Sequence, residues 1–247
     1  MVEPDAPVLT DVDARRRLRG AAFVVLATTV VTWDALAPHL GAVALWPTVA
    51  IIAAGVLPAT LGLLFLALPL WSRRRLVALG LVVFGIAAVG TWEAGWHLAS
   101  NFAKLGAYTC FGWIFLWLFE ELSWVLIIAA VIPFADAISV AAGPTKAIVH
   151  HHVEVYSAVA VAFVAPGGGA AGLGPPDILF FALFLAAAVR WRLRPGWTWL
   201  AMTGMYALTL VIANAADVSG LPALPFLSAG FLLANGDLLW RRIRPAR

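Results

Sequence analysis

Two aspartates, Asp136 and Asp177, stand inside apolar stretches where a desolvated carboxylate is costly, which makes each a functional candidate. Brought face to face, two such carboxylates cannot both ionise cheaply. They share one proton, and one then acts as base toward a water while the other acts as acid. That is the chemistry of peptide-bond hydrolysis in aspartic proteases. The same pair would also serve as a proton relay or as a helix-pairing hydrogen bond, and its placement alone leaves all three readings open. Asp34, Glu93 and Asp237 are further acidic residues at membrane depth or at the ends of apolar runs.

The elements that must position these groups are read from composition and charge. Of 247 residues, 63% are hydrophobic and only 12% are charged. A soluble globular domain is about 45–50% apolar and about 25% charged, so a soluble enzyme and a nucleic-acid binder are excluded. The single cysteine, Cys110, excludes an intramolecular disulfide and a cysteine-based metal cluster. We read an all-α polytopic membrane protein with about eight transmembrane helices. The expected spans are 21–37, 41–71, 76–97, 102–119, 122–142, 175–189, 198–216 and 222–239. The stretch 41–71 is read as one kinked helix carrying Pro47, Pro58 and Pro69, and 155–165 as too short to cross. The organisation is then a polar tail over 1–20, an N-terminal helix group over 21–119, and a second group over 120–247 with a Gly/Pro-rich loop at 143–175.

Charge orients the bundle. Fourteen of the 16 basic residues fall in four arginine clusters, 15–19, 73–75, 190–194 and 241–247. With eight spans all four lie on one side, and the positive-inside rule makes that side, with both termini, cytoplasmic. The loop 143–175 is then extracytoplasmic, in a cell membrane. Asp136 lies about seven residues, roughly 10 Å, from the outer end of its span. Asp177 lies about 13 residues, roughly 20 Å, from the cytoplasmic arginines, so topology puts the two aspartates at matching depth on antiparallel helices.

Three segments sharpen the reading. Ala135-Asp136-Ala137-Ile138-Ser139-Val140, followed by Gly143-Pro144, resembles the sixth-helix segment of the presenilin and signal peptide peptidase family. Leu173-Gly174-Pro175-Pro176-Asp177 resembles that family's GxGD motif, and Pro222-Ala223-Leu224 matches its PAL motif. Order and spacing agree over about half the chain, from Phe115 to Trp240. The resemblance implies a presenilin-like bundle and an intramembrane aspartyl endopeptidase without a cofactor or metal. Asp136 and Asp177 would activate water. Gly174, Pro222, Ala223 and Leu224 would hold the unwound substrate, a single-pass membrane helix or a signal peptide. The orientation resembles signal peptide peptidase, which implies substrates whose N-terminus is cytoplasmic. Two positions depart from the pattern: Ala135 stands where the family has tyrosine, and Pro176 where it has the second glycine. An inactive helix-binding homologue is therefore an alternative, as is a proton-coupled transporter or channel using the same carboxylates, against which stands the lack of internal repeats.

Other signals carry less. His150-His151-His152 invites a metal, but three adjacent histidines cannot converge on one ion from a regular element, and a solvated loop is the plainer reading. Glu93 and His97, four apart, are expected on one helix face. Neither H-E-x-x-H nor G-x-S-x-G occurs, which speaks against zinc and serine proteolysis. Nothing in the sequence points to nucleic acid, and the partner expected besides substrate is the lipid bilayer.

Overall fold

The computed structural model describes residues 7–142, 153–218 and 221–243. The elements are α1 (Pro7–Leu36), α2 (Leu45–Ile51), α3 (Leu57–Ala67), α4 (Arg74–Glu93), α5 (His97–Leu116), α6 (Leu122–Ala142) and α7 (Val153–Val159). They continue with strands β1 (Val161–Val164) and β2 (Ala170–Leu173), then α8 (Pro175–Arg190), α9 (Pro195–Ala215) and α10 (Leu224–Ile243). Among the described residues five helical segments are long and apolar enough to cross a membrane: Asp13–His39, Leu45–Ser72, Arg74–Glu93, Leu122–Val140 and Pro195–Ala215. The protein is thus an α-helical protein with the helices of a membrane protein.

The segment 45–72 is one continuous rod. Pro58 has no N–H to give to the carbonyl four residues back, and the ladder widens there into a π-turn over Ile52–Val56. Leu57 N–H accordingly bonds the carbonyl of Ile52, five residues behind it.

Helix α8 forms the centre. With 16 residues it is about 24 Å long, and every residue from Phe181 to Ala188 is buried. A helix apolar on all faces belongs inside a bundle, and α5, α9 and α10 surround it. Gly112 of α5 and Gly230 of α10 mark the closest approaches. A Cβ at Gly230 would stand 2.9 Å from Met202 Cα of α9, so only glycine lets those two backbones meet. Helix α6 is peripheral. Val125, Ala129, Ile132 and Asp136 form one stripe along it, of which Val125 and Ala129 are buried and Ile132 packs on the core. Trp124, Ile127, Val131, Phe134 and Ile138 face outward.

One end of the bundle is tied by arginines. Arg19 Nε and Nη2 donate to the carbonyls of Leu66 and Phe65 at the end of α3. Arg74 lies over the Trp117 ring, and Arg190 Nη1 donates to Leu116 O at the end of α5 (2.9 Å). Arg194 makes a two-pronged pair with Asp237 at 2.7 and 2.9 Å. Behind that pair, buried Asn235 accepts from Arg194 N–H and donates to Thr198 Oγ1. Carbonyls that end a helix are unpaired within it and carry partial negative charge, which guanidinium groups satisfy.

At the opposite end the structure departs from an all-helical reading. Residues 161–173 form an antiparallel hairpin with Val161 opposite Leu173 and Val164 opposite Ala170. The expected non-crossing segment 155–165 is the end of α7 plus β1. Glu93 and His97 do not share a helix face: α4 stops at Glu93, Gly95 turns the chain at φ 76°, and His97 opens α5 with its ring edge-on to Trp92. Lys146 and His150 to His152 lie outside the described residues.

Candidate active site

The first turn of α8 sets Asp177. Gly174 is its N-cap and Pro175 and Pro176 fill the next two positions, where proline's missing N–H costs nothing and its fixed φ suits a helix. Asp177 then stands third. Its Oδ2 accepts from Gly174 N–H at 2.8 Å, while its own N–H donates to Gly174 O at 3.1 Å. Pro176 thus takes part in the helix start that fixes the carboxylate. From α9, Tyr206 donates its hydroxyl to the Asp177 carbonyl at 2.9 Å, and its ring stacks on Phe181 one turn further along α8.

Asp136 is held from the other side. Its Oδ2 accepts from the backbone N–H of Leu224 at 3.0 Å, and the N–H of Ala223 also faces it. These are unpaired donors at the start of α10, the positive end of the helix, and a carboxylate there is favourably placed. The short Pro222-Ala223-Leu224 segment thus meets Asp136 through its backbone. Asp136 and Asp177 lie within electrostatic range of each other.

Both aspartates line one cavity of about 1150 Å³. Gly174, Pro222 and Ala223 line it too. Leu224 does not: its side chain is buried in the core, and only its N–H serves the site. The remaining wall comes from α2, from α7, from both strands of the hairpin and from the end of α9. The cavity lies at the hairpin end, away from the arginine-tied end. No group of three or more histidine, cysteine or acidic side chains is placed to hold a metal ion among the described residues.

Tyr206, Asn214 and Asp217 are not singled out as site residues by their sequence pattern, whereas Tyr156 reads only as a remote candidate for substrate contact. Tyr206 gave no signal, being one hydroxyl in an apolar helix. Tyr156 of α7 lines the cavity and donates to Gly172 O at 3.2 Å. Burial, and then the neighbouring Asp177, push its phenol up to about 12, so it keeps the proton it donates. Asp217 and Asn214 add polar groups at the end of α9. Asp34 and Asp237, two of the further acidic residues of the apolar runs, have partners: Asn101 Nδ2 stands 3.3 Å from Asp34, and Arg194 binds Asp237.

Comparisons with protein-family models, with curated proteins and with solved structures give no match to this chain.

Proposed function

We propose that the protein is an intramembrane aspartyl endopeptidase that cuts peptide bonds within transmembrane helices or signal peptides. The observation that carries this reading is the meeting of Asp136, Asp177 and the Pro222-Ala223-Leu224 backbone around one cavity. The resemblance of those three segments to the presenilin and signal peptide peptidase family supports the same reading. In each carboxylate the oxygen Oδ2 takes a backbone N–H, which holds the side chain in place at the cavity.

Hydrolysis then proceeds with one proton between the pair. The ionised carboxylate takes a proton from water as the water oxygen attacks the scissile carbonyl carbon, and the protonated one gives its proton to the carbonyl oxygen. Collapse of the tetrahedral diol returns a proton to the amide nitrogen and breaks the C–N bond. A helix must unwind before its carbonyl is reached. The outer edge of β2 borders the cavity and offers the Ala170 backbone and the Gly172 N–H to an extended chain, the usual way a sheet edge recruits a peptide.

In this reading eight helical segments cross a cell membrane: α1, 45–72, α4, α5, α6, α8, α9 and α10. The arginine-tied end is cytoplasmic and the hairpin extracytoplasmic. Substrates then enter with their N-terminus in the cytoplasm. The test is cleavage of a synthetic type II membrane peptide by the detergent-purified protein, wild type against Asp136→Asn and Asp177→Asn. Cleavage by wild type alone is expected. No cleavage by wild type, together with proton-dependent flux into reconstituted vesicles that both variants abolish, would replace the protease by a transporter.

A further inference from the structure

The hairpin has two edges, and side chains cover them unequally. Antiparallel pairing alternates, so the residues of β1 whose N–H and C=O point away from β2 are every second one. The three outward carbonyls along this segment, Ala160, Ala162 and Val164, each accept a side-chain donor. Lys104 Nζ reaches Ala160 O at 2.7 Å, Asn101 Nδ2 reaches Ala162 O at 2.8 Å, and Trp33 Nε1 reaches Val164 O at 2.9 Å. Asn101 also returns an acceptor: its Oδ1 takes Ala162 N–H at 2.7 Å. The amide of Asn101 therefore makes both bonds that a neighbouring strand would make at that position. Asp34 Oδ2, 3.3 Å from Asn101 Nδ2, holds the amide in that sense, since a carboxylate faces the NH₂ and not the oxygen.

Asn101 and Lys104 are one turn apart on α5, and Tyr108, a further turn along, donates to Val159 O at 2.8 Å. Lys104 also takes Ser157 O, with its ammonium over the Trp92 ring. All but Tyr108, which is half-buried, are polar groups that α5 buries. Burying a lysine and an asparagine in an apolar helix is expensive unless they are bonded, and here every hydrogen bond except the one from Asn101 to Asp34 runs to the backbone of 157–162. On β2, by contrast, one side chain bonds the outer edge, the Tyr156 hydroxyl on Gly172 O at 3.2 Å, and the Gly172 N–H and the Ala170 backbone have no hydrogen-bond partner beyond the pairing with β1, among the described residues.

We propose that Trp33, Asn101 and Lys104 are positioning residues that act as a built-in third strand. They seal the outer edge of β1, so that an extended substrate segment pairs only with β2, beside the aspartates, and in one register. The proposal rests on the protease reading for its consequence but not for its geometry, and the experiment separates the two.

Asn101→Leu, Lys104→Met and Trp33→Phe each remove one donor and keep most of the volume. Asn235→Leu is the control, because it breaks a buried network at the far end of the bundle. Hydrogen exchange followed by mass spectrometry should show the peptide spanning 160–164 opening at least about ten-fold faster in Asn101→Leu, which loses two hydrogen bonds to the strand where one alone supports a factor of up to about ten, with the control unchanged there. On the membrane peptide, product masses should show extra cuts displaced along the substrate, and KM should rise several-fold with kcat changed less. The control should lower thermal stability and keep the single wild-type cut. Unchanged exchange in all three variants overturns the sealed edge. Faster exchange with the wild-type cut position and KM overturns the positioning role. If the wild type cuts nothing, the protease reading fails, and exchange still decides the edge.

Discussion

Gly112→Ala tests the whole placement of Asp177 through a residue that touches neither substrate nor carboxylate. Gly112 lies on the face of α5 that meets α8, and a Cβ built there would fall well inside contact distance of the Leu179 carbonyl oxygen and 3.1 Å from Ala182 Cβ. Carbon atoms rest about 3.5–4.0 Å apart, so the carbon contact alone is about 0.4–0.9 Å too short and the carbonyl contact demands more. The clash is with backbone, which has no rotamer to move, and α8 must shift. Overpacking of this kind costs about 1–3 kcal/mol. Leu179 is two residues past Asp177, so the shift is transmitted to the carboxylate, and a displacement of about 1 Å at a reacting group costs on the order of 100-fold in rate. The assay is kcat/KM on the membrane peptide beside thermal unfolding in detergent. The control is Gly85→Ala on α4, where a Cβ meets nothing within 4 Å. That control should keep its activity and gain about 0.5–1 kcal/mol from the helix preference of alanine. Gly112→Ala with wild-type activity and stability would refute the packing argument.

Three further outcomes are expected. Asp177→Asn can still accept Gly174 N–H, so it should abolish cleavage while leaving thermal stability near wild type; Asp177→Ala loses the cap as well and should cost about 1 kcal/mol more in the same unfolding assay. Tyr206→Phe removes the hydroxyl bond to the Asp177 carbonyl and should destabilise by about 1 kcal/mol, with kcat lowered more than KM raised because substrate contacts remain. The rate should follow a bell in pH, falling on the acid side as the base takes a proton and on the alkaline side as the acid loses its own, with the two apparent values belonging to the pair.

The site was legible in the sequence where chemistry and scarcity coincide. In a chain with 13 acidic residues, two isolated aspartates at matching depth are conspicuous, and the short Pro-Ala-Leu segment gave the third contact. What Leu224 contributes was not legible, because an N–H is common to nearly every residue and only the fold shows which one is left unpaired at a helix start. The hairpin was legible only as a length too short to cross. Its outer edge is bonded by Asn101 and Lys104, some 60 residues upstream in α5, a contact across the chain that no local pattern announces. Glu93 and His97 show the opposite failure. Their spacing fits a helix face, but Gly95 between them ends the helix, and local turn chemistry overrides periodicity.

The two aspartates are carried by helices of opposite mechanical character. Asp177 starts α8, which is enclosed by protein on every side, whereas Asp136 rides on α6, most of whose surface faces outward. The stiff partner fixes the frame and the soft partner sets the gap. Lateral pressure and bilayer thickness act on α6 directly and on α8 hardly at all. In the proposed endopeptidase the lipid is then a working part of the reaction coordinate. Catalytic rate should track acyl-chain length in vesicles even when the affinity for substrate does not.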